Sequence, residues 1–279
     1  MVAWFVAAFI LLFVVRLPFA RLGMVPYFVE FHPGFVLLPI LGICWGPAAA
    51  WAALAAGMAG DALLGYWESV SFFRAIGWMV AVLCTQRLFV MQVESDKGKP
   101  VGVRAVFFFL LLSIPACCAA AVWPAAQAGF LRYYPYCYIV ALSFLNNIVF
   151  LLLFGPGLFR LLSHHTDGEI CLWRRHESPH GMPHRTLQLS RAMVWLGSVG
   201  SLVAGLLVSG LTYDAWPWSL YLIGTTTGSW VRVVVVAFLG LLVVGLCLPV
   251  FRPEKRSRRT SAQSGSGRGS SFGDLYLPS

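Results

Sequence analysis

Charge is scarce in this chain. Asp, Glu, Lys and Arg make up 11% of its 279 residues, against roughly 25% in a soluble domain. A soluble domain of normal size does not fit between its apolar runs. Motifs for familiar chemistry are few and poorly placed. No CxxC, P-loop or dinucleotide-binding glycine pattern occurs. The letters HExxH occur at 176–180, but Pro179 opposes the helix that motif needs. The letters GxSxG occur at 269–273, in a polar Ser/Gly-rich tail. ATP chemistry would therefore need a partner, no cofactor is expected, and an enzyme is not expected. A disulfide framework is also absent. Cys44, Cys84, Cys117, Cys118, Cys137 and Cys247 lie in apolar stretches, and Cys171 alone lies in a polar loop. That pattern fits packing. No basic residue precedes the first apolar run, which argues against a cleaved signal peptide.

What the chain has instead is apolar length. It is 59% hydrophobic, with 11 Trp, 9 Tyr and 21 Phe suited to interfacial belts and helix packing. A membrane span needs about 20 apolar residues. Candidate spans cover Val2 to Leu22, Phe72 to Val90, Ala105 to Ala126, Tyr136 to Leu162, Met193 to Leu211 and Trp230 to Phe251. The segment from Phe35 to Leu64 is too long for one straight span, and Gly46-Pro47 divides it, because proline cannot donate its backbone bond. Pro115 should kink its helix. The expected fold is all-α: a polytopic transmembrane helix bundle of about eight spans, or seven if residues 35–64 form one bent helix.

The net charge of +9 is better explained by orientation and anionic lipid than by nucleic acid, since the bases collect beside the spans. Lys97, Lys99 and Arg104 lie in one loop, and Arg160, Arg174, Arg175, Arg185 and Arg191 lie in another. Arg252, Lys255, Arg256, Arg258, Arg259 and Arg268 lie in the tail. All three regions fall on one side in either count, so that side and the C-terminus are cytoplasmic. With eight spans Arg16 and Arg21 sit near the outer face, against the positive-inside rule; with seven they obey it. From Ser257 onward the tail is rich in Ser, Gly and Arg and should be disordered. Four regions follow: a six-helix bundle (1–162), a basic His-rich loop (163–192), a two-helix hairpin (193–251) and a basic tail (252–279).

Polar residues inside apolar runs mark the candidate site. Asp61 ends a helix built mostly of Ala and Gly, and intramembrane acids often mark solute or ion pathways. It can also be a snorkelling or capping carboxylate beside Tyr66 and Trp67. Asn146 and Asn147 point about 100° apart on a helix, so both can hardly face lipid. They suit a solute contact or interhelical hydrogen bonding. Glu30 and His32 lie in the connection PYFVEFHPG, and Glu68 and Arg74 would share its face. Polar groups among aromatics suit a small-molecule pocket, and an aromatic belt would look the same. His164, His165, His176, His180 and His184, with Asp167, Glu169 and Cys171, are metal-ligand types, but Pro179, Gly181 and Pro183 break helical spacing, and a solvated loop without metal is the default. Gly60-Asp61 and Tyr213-Asp214 fail the GxGD pattern of intramembrane aspartyl proteases, because Met58 replaces the first glycine and the two motifs are in reversed order.

The run PILGICWGPAAAWAALAAGMAGDALLG (39–65) resembles the apolar helix, Gly-Pro break, small-residue helix and acid of the substrate-binding S component of energy-coupling factor (ECF) transporters. FLNNIVFLLLFGPGLFRLL (144–162) is similar to that family's last helix. Ala3 and Ala7 match the small-residue motif that docks such subunits on their T component. The resemblance covers about residues 1–162; the further helical pair departs from the usual six helices. It implies eight spans with a cytoplasmic N-terminus, in a prokaryotic inner membrane. It also implies capture of a small-molecule solute or metal ion, with a T component and ATPases as partners. The expected solute contacts are Asp61, Glu68, Glu30, His32, Asn146 and Asn147. Ser201, Gly205 and Ser209 of the extra pair could pack on the bundle or on a partner. The alternative is a non-transport membrane sensor or assembly protein acting through its basic loop and tail.

Overall fold

The computed structural model describes residues 1–19, 22–25, 29–65, 67–95, 103–130, 134–165, 184–211 and 226–248. Eight helices are present among them: α1 (Val2–Arg16), α2 (Leu37–Trp45), α3 (Pro47–Leu63), α4 (Ser69–Ser95), α5 (Val103–Phe130), α6 (Tyr136–His165), α7 (His184–Leu211) and α8 (Thr226–Cys247). Between α1 and α2 the chain makes a small antiparallel hairpin, β1 (Gly23–Val25) with β2 (Val29–Glu30). A 3-10 turn over Pro33–Val36 then leads into α2.

The expected break at Gly46 is present. Gly46 has φ 57° and ψ −134°, a backbone conformation that a side chain would oppose. Pro47 follows at the first position of α3, where its missing N–H costs nothing. The chain reverses there, and two contacts show it. Trp4 of α1 meets Trp45 at the end of α2, with ring centroids 5.4 Å apart. At the other end of α1, Arg16 donates to the backbone oxygen of Gly57 in α3 at 2.6 Å. So α1 and α3 run side by side in the same sense, and α2 runs back between them in sequence.

Four helices, α4 to α7, are long and apolar enough to cross a membrane. The segments 2–16 and 33–45 are apolar but shorter; the second spans about 20 Å, less than a hydrocarbon core of about 30 Å. The expected span Val2–Leu22 ends at Arg16, and the other helices start and stop within a few residues of expectation. The largest shift is at α7, which begins at His184 and takes up part of the expected loop 163–192.

Helices α4 and α5 are central. Their apolar windows are 67% and 72% buried, against 39% for α6 and α7. Small residues allow this: Ala116, Cys117, Cys118, Ala119, Ala121 and Ala125 on α5 are all fully or almost fully buried. Helix α7 packs on this core, not away from it. Tyr136 at the start of α6 donates its hydroxyl to the Ser201 backbone oxygen at 3.1 Å. A Cβ at Gly205 would fall on the same Tyr136 side chain. The Cys137 N–H donates to Ser209 Oγ at 3.4 Å. The small-residue stripe of α7 therefore serves the bundle. Residues Met1 to Pro249 form one unit; the tail from 249 onward lies outside the described residues.

Candidate functional site

Helix α1 buries one stripe, Ala8, Leu12 and Arg16. The spacing of four residues carries Arg16 inward with the apolar face. An unpaired guanidinium there would be costly, and α3 is built to receive it. A Cβ at Gly60 would lie 2.5 Å from Arg16 Nη1, so only glycine leaves the guanidinium room. Arg16 Nη1 donates to the Gly57 backbone oxygen, and Arg16 Nη2 donates to Asp61.

Asp61 lies one turn beyond Gly57 on α3 and is 0% exposed. Its second oxygen accepts from Arg74 Nη2 of α4. Glu30, from β2, completes the arrangement. Its carboxylate lies 3.1 Å from Arg16 Nη2 and 2.8 Å from Arg74 Nη1. Two arginines and two carboxylates thus form a closed quartet in which each cation touches each anion. Its formal charge is zero. Burying four charges is tolerable when the pairing is complete.

Trp78 of α4 forms the next layer. The His32 ring stacks on it at 4.6 Å with 5° between planes. Arg16 Cζ lies 5.3 Å from the Trp78 ring centroid, within cation–π range. His32 is 5% exposed, and neither of its ring nitrogens has a hydrogen-bond partner among the described residues. It sits in the connection ahead of α2, outside every helix. Burial, then the charges of Arg16 and Arg74, push its pKa down to about 3, so the imidazole is neutral.

Helix α6 closes the site. Asn146 Nδ2 donates to the Glu30 backbone oxygen at 3.1 Å, while Asn146 Oδ1 has no partner among the described residues. Asn147 Nδ2 reaches the Cys117 backbone oxygen of α5 at 3.5 Å. The two carboxamides do point in different directions, one to the hairpin and one to α5. A cavity of about 30 Å³ lies between these elements, lined by Glu30, His32, Arg74, Trp78, Asn146 and Asn147 among others. It has room for little more than a water molecule.

Of the sequence-predicted residues, Asp61, Glu30, His32, Asn146 and Asn147 come together here. Glu68 does not join them: it is exposed at the start of α4, its N–H donating to Ser71 Oγ at 3.3 Å. Ala3 and Ala7 are exposed on α1, off its buried stripe. The side chains of His164, His165 and His184, and the whole of His176, His180, Asp167, Glu169, Cys171 and Asp214, lie outside the described residues. Among the described residues no cluster of His, Cys, Asp or Glu is placed to hold a metal ion.

Arg16 carries half of the quartet's positive charge, and the sequence marks it only as an orientation signal. The signal that identifies it is its sign. An apolar chain that buries an acid needs a buried base, and Arg16 and Arg74 are two of the few arginines inside the first spans.

No family model matches the chain, and neither a curated protein nor a solved structure does.

Proposed function

We propose that this chain is a multi-pass inner-membrane protein that binds a small solute, acting as the solute-binding subunit of an ECF-type uptake transporter. In this reading the eight helices are eight spans, four of them of full length and the rest shorter or tilted. Both termini are cytoplasmic. The quartet and its cavity face the outer half, where solute arrives, and the Gly46 turn faces the cytoplasm. A T component and ATPases supply the driving force.

One observation carries the reading. Charged and hydrogen-bonding groups from α1, β2, α3, α4 and α6 converge beside a cavity lined by His32 and Asn146, whose ring nitrogens and Oδ1 have no partner among the described residues. A bundle that needed only to stand in lipid would not gather them, and the space between the helices of a bundle is a common place for a small-molecule site. The test is purification of the full chain from its native membrane. Copurification of an ATPase, with solute uptake lost on deleting the chain, is expected. Uptake unchanged by the deletion, with no ATPase recovered, would sink the proposal.

A second reading is favoured by the completeness of the ion pairing. Because the quartet is self-neutralising, it can serve as a clamp holding α1, α3 and α4 together in a sensor or assembly protein. That protein would act through its basic loop and tail. Deleting residues 164–188 separates the readings, since loss of function with solute binding intact belongs to the second.

A further inference from the structure

The quartet has one edge that the cavity reaches. Glu30 and Arg74 line the cavity, whereas Arg16 and Asp61 lie behind them, 1% and 0% exposed. Glu30 also differs from the other three in what holds it. Arg16, Asp61 and Arg74 stand on helices, while Glu30 ends a two-residue strand. Across from it on α6, Asn146 holds the Glu30 backbone and not its carboxylate.

Removing the Glu30 carboxylate leaves two guanidiniums sharing Asp61. The site would then carry one net positive charge, with an Arg74 donor turned to the cavity. His32 and Asn146 line the same space, and the His32 ring nitrogens and Asn146 Oδ1 have no hydrogen-bond partner among the described residues. We infer that Glu30 occupies the seat of a ligand carboxylate, and that the site takes an organic carboxylate which displaces Glu30 from Arg74 and Arg16. That this carboxylate is the transported solute rests on the function proposed above.

The exchange is physically balanced. One carboxylate replaces another, so the buried charge stays at zero and the desolvation penalty is not paid twice. Glu30 returns to water on its hairpin. The existing cavity, about 30 Å³, is too small for such a ligand, but the volume vacated by Glu30 adds the space an entering carboxylate needs. A bare cation is excluded by the same bookkeeping, since it would face two guanidiniums with no ligand cluster among the described residues to offset them.

Thermal unfolding of the full chain in detergent tests this, with Glu30→Ala as the variant. Sodium acetate is compared with sodium chloride at equal ionic strength and with acetamide, its neutral counterpart. Acetate alone should raise the midpoint of Glu30→Ala, by about 3 to 5 °C once it exceeds its dissociation constant about tenfold. Adding Arg74→Gln should abolish that response. An equal effect of acetamide or chloride, no effect of acetate, or a response that survives Arg74→Gln would overturn the inference. If Glu30→Ala yields no folded protein, hydrogen exchange of residues 22–32 in the wild type decides. Faster exchange with acetate but not acetamide supports displacement, and no acetate-specific change overturns it. The ATPase copurification is independent of Glu30. ATPase recovered without any acetate effect would end the carboxylate inference and leave the transport reading. An acetate effect without ATPase would do the reverse.

Discussion

Two helix contacts in this protein use glycine, and they fill the space with different things. On α3, Gly57 and Gly60 make room for the Arg16 guanidinium and for α4. On the α7–α8 contact, Gly197 admits the backbone of Leu242, Gly200 admits the Phe238 ring, and Gly245 admits Met193. The second contact is what small residues are expected to provide in lipid, a close approach of backbones. The first uses the same residue types to seat a charge. Its polar groups are numerous, whereas α7 and α8 have a mostly apolar interface stitched by Ser190, whose hydroxyl donates to the Gly245 backbone oxygen at 2.6 Å. Small residues in a membrane helix therefore announce a close neighbour and not what that neighbour is.

The largest expected effect breaks the charged contact. Asp61→Leu leaves two buried guanidiniums with one carboxylate and should cost about 3–5 kcal/mol, read from thermal unfolding in detergent. Asp61→Leu combined with Arg74→Leu restores neutrality and should be less destabilising than Asp61→Leu alone. Additive losses in the double variant would mean that the four charges do not act as one unit.

That coupling also explains what could be read without the structure. The Gly46-Pro47 break, the small-residue helix ending in Asp61 and the outward divergence of Asn146 and Asn147 follow from local chemistry. Each depends on one residue type with a strong backbone or solvation preference. Arg16 and Glu30 are different. Their roles depend on α1 lying beside α3 and on the hairpin folding back to both, which no local pattern encodes. Glu68 shows the converse. It resembles Glu30 in type and in aromatic surroundings, yet it stands exposed beyond the bundle, because nothing in its own segment draws it inward. The short length of α1 was hidden for a related reason: apolar residues continue past Arg16, where the helix ends.

A smaller effect sharpens the comparison between the two glycine contacts. Gly197→Ala puts a Cβ 2.5 Å from the Leu242 backbone nitrogen, and backbone cannot give way. Gly60→Ala meets the Arg16 guanidinium at the same distance. Each should cost about 2 kcal/mol as an overpacked contact. They should respond differently to a second change. In an Arg16→Leu background the Gly60→Ala penalty should shrink, while the Gly197→Ala penalty should persist. If Arg16→Leu leaves the Gly60→Ala penalty intact, α3 is shaped for its neighbouring helices and not for the guanidinium.

The smallest effect is one of pH, and it should appear in only one of the two regions. His32 is neutral in the folded protein, its pKa pushed down to about 3 by burial and then by the charges of Arg16 and Arg74. The unfolded chain takes up a proton near pH 6.5. Below that pH the unfolded state binds more protons than the folded one, so stability falls as pH falls. The contribution is complete above about pH 6.5 and is lost progressively toward pH 3, amounting to about 1 kcal/mol by pH 5.5. Unfolding midpoints at pH 7 and pH 5.5 should therefore diverge more in the wild type than in His32→Gln, which has no proton to gain. Hydrogen exchange should place the loosening in residues 29–45 and α4, with α7 and α8 unchanged. Equal pH dependence of the two proteins would mean that His32 is solvated or paired in the folded protein.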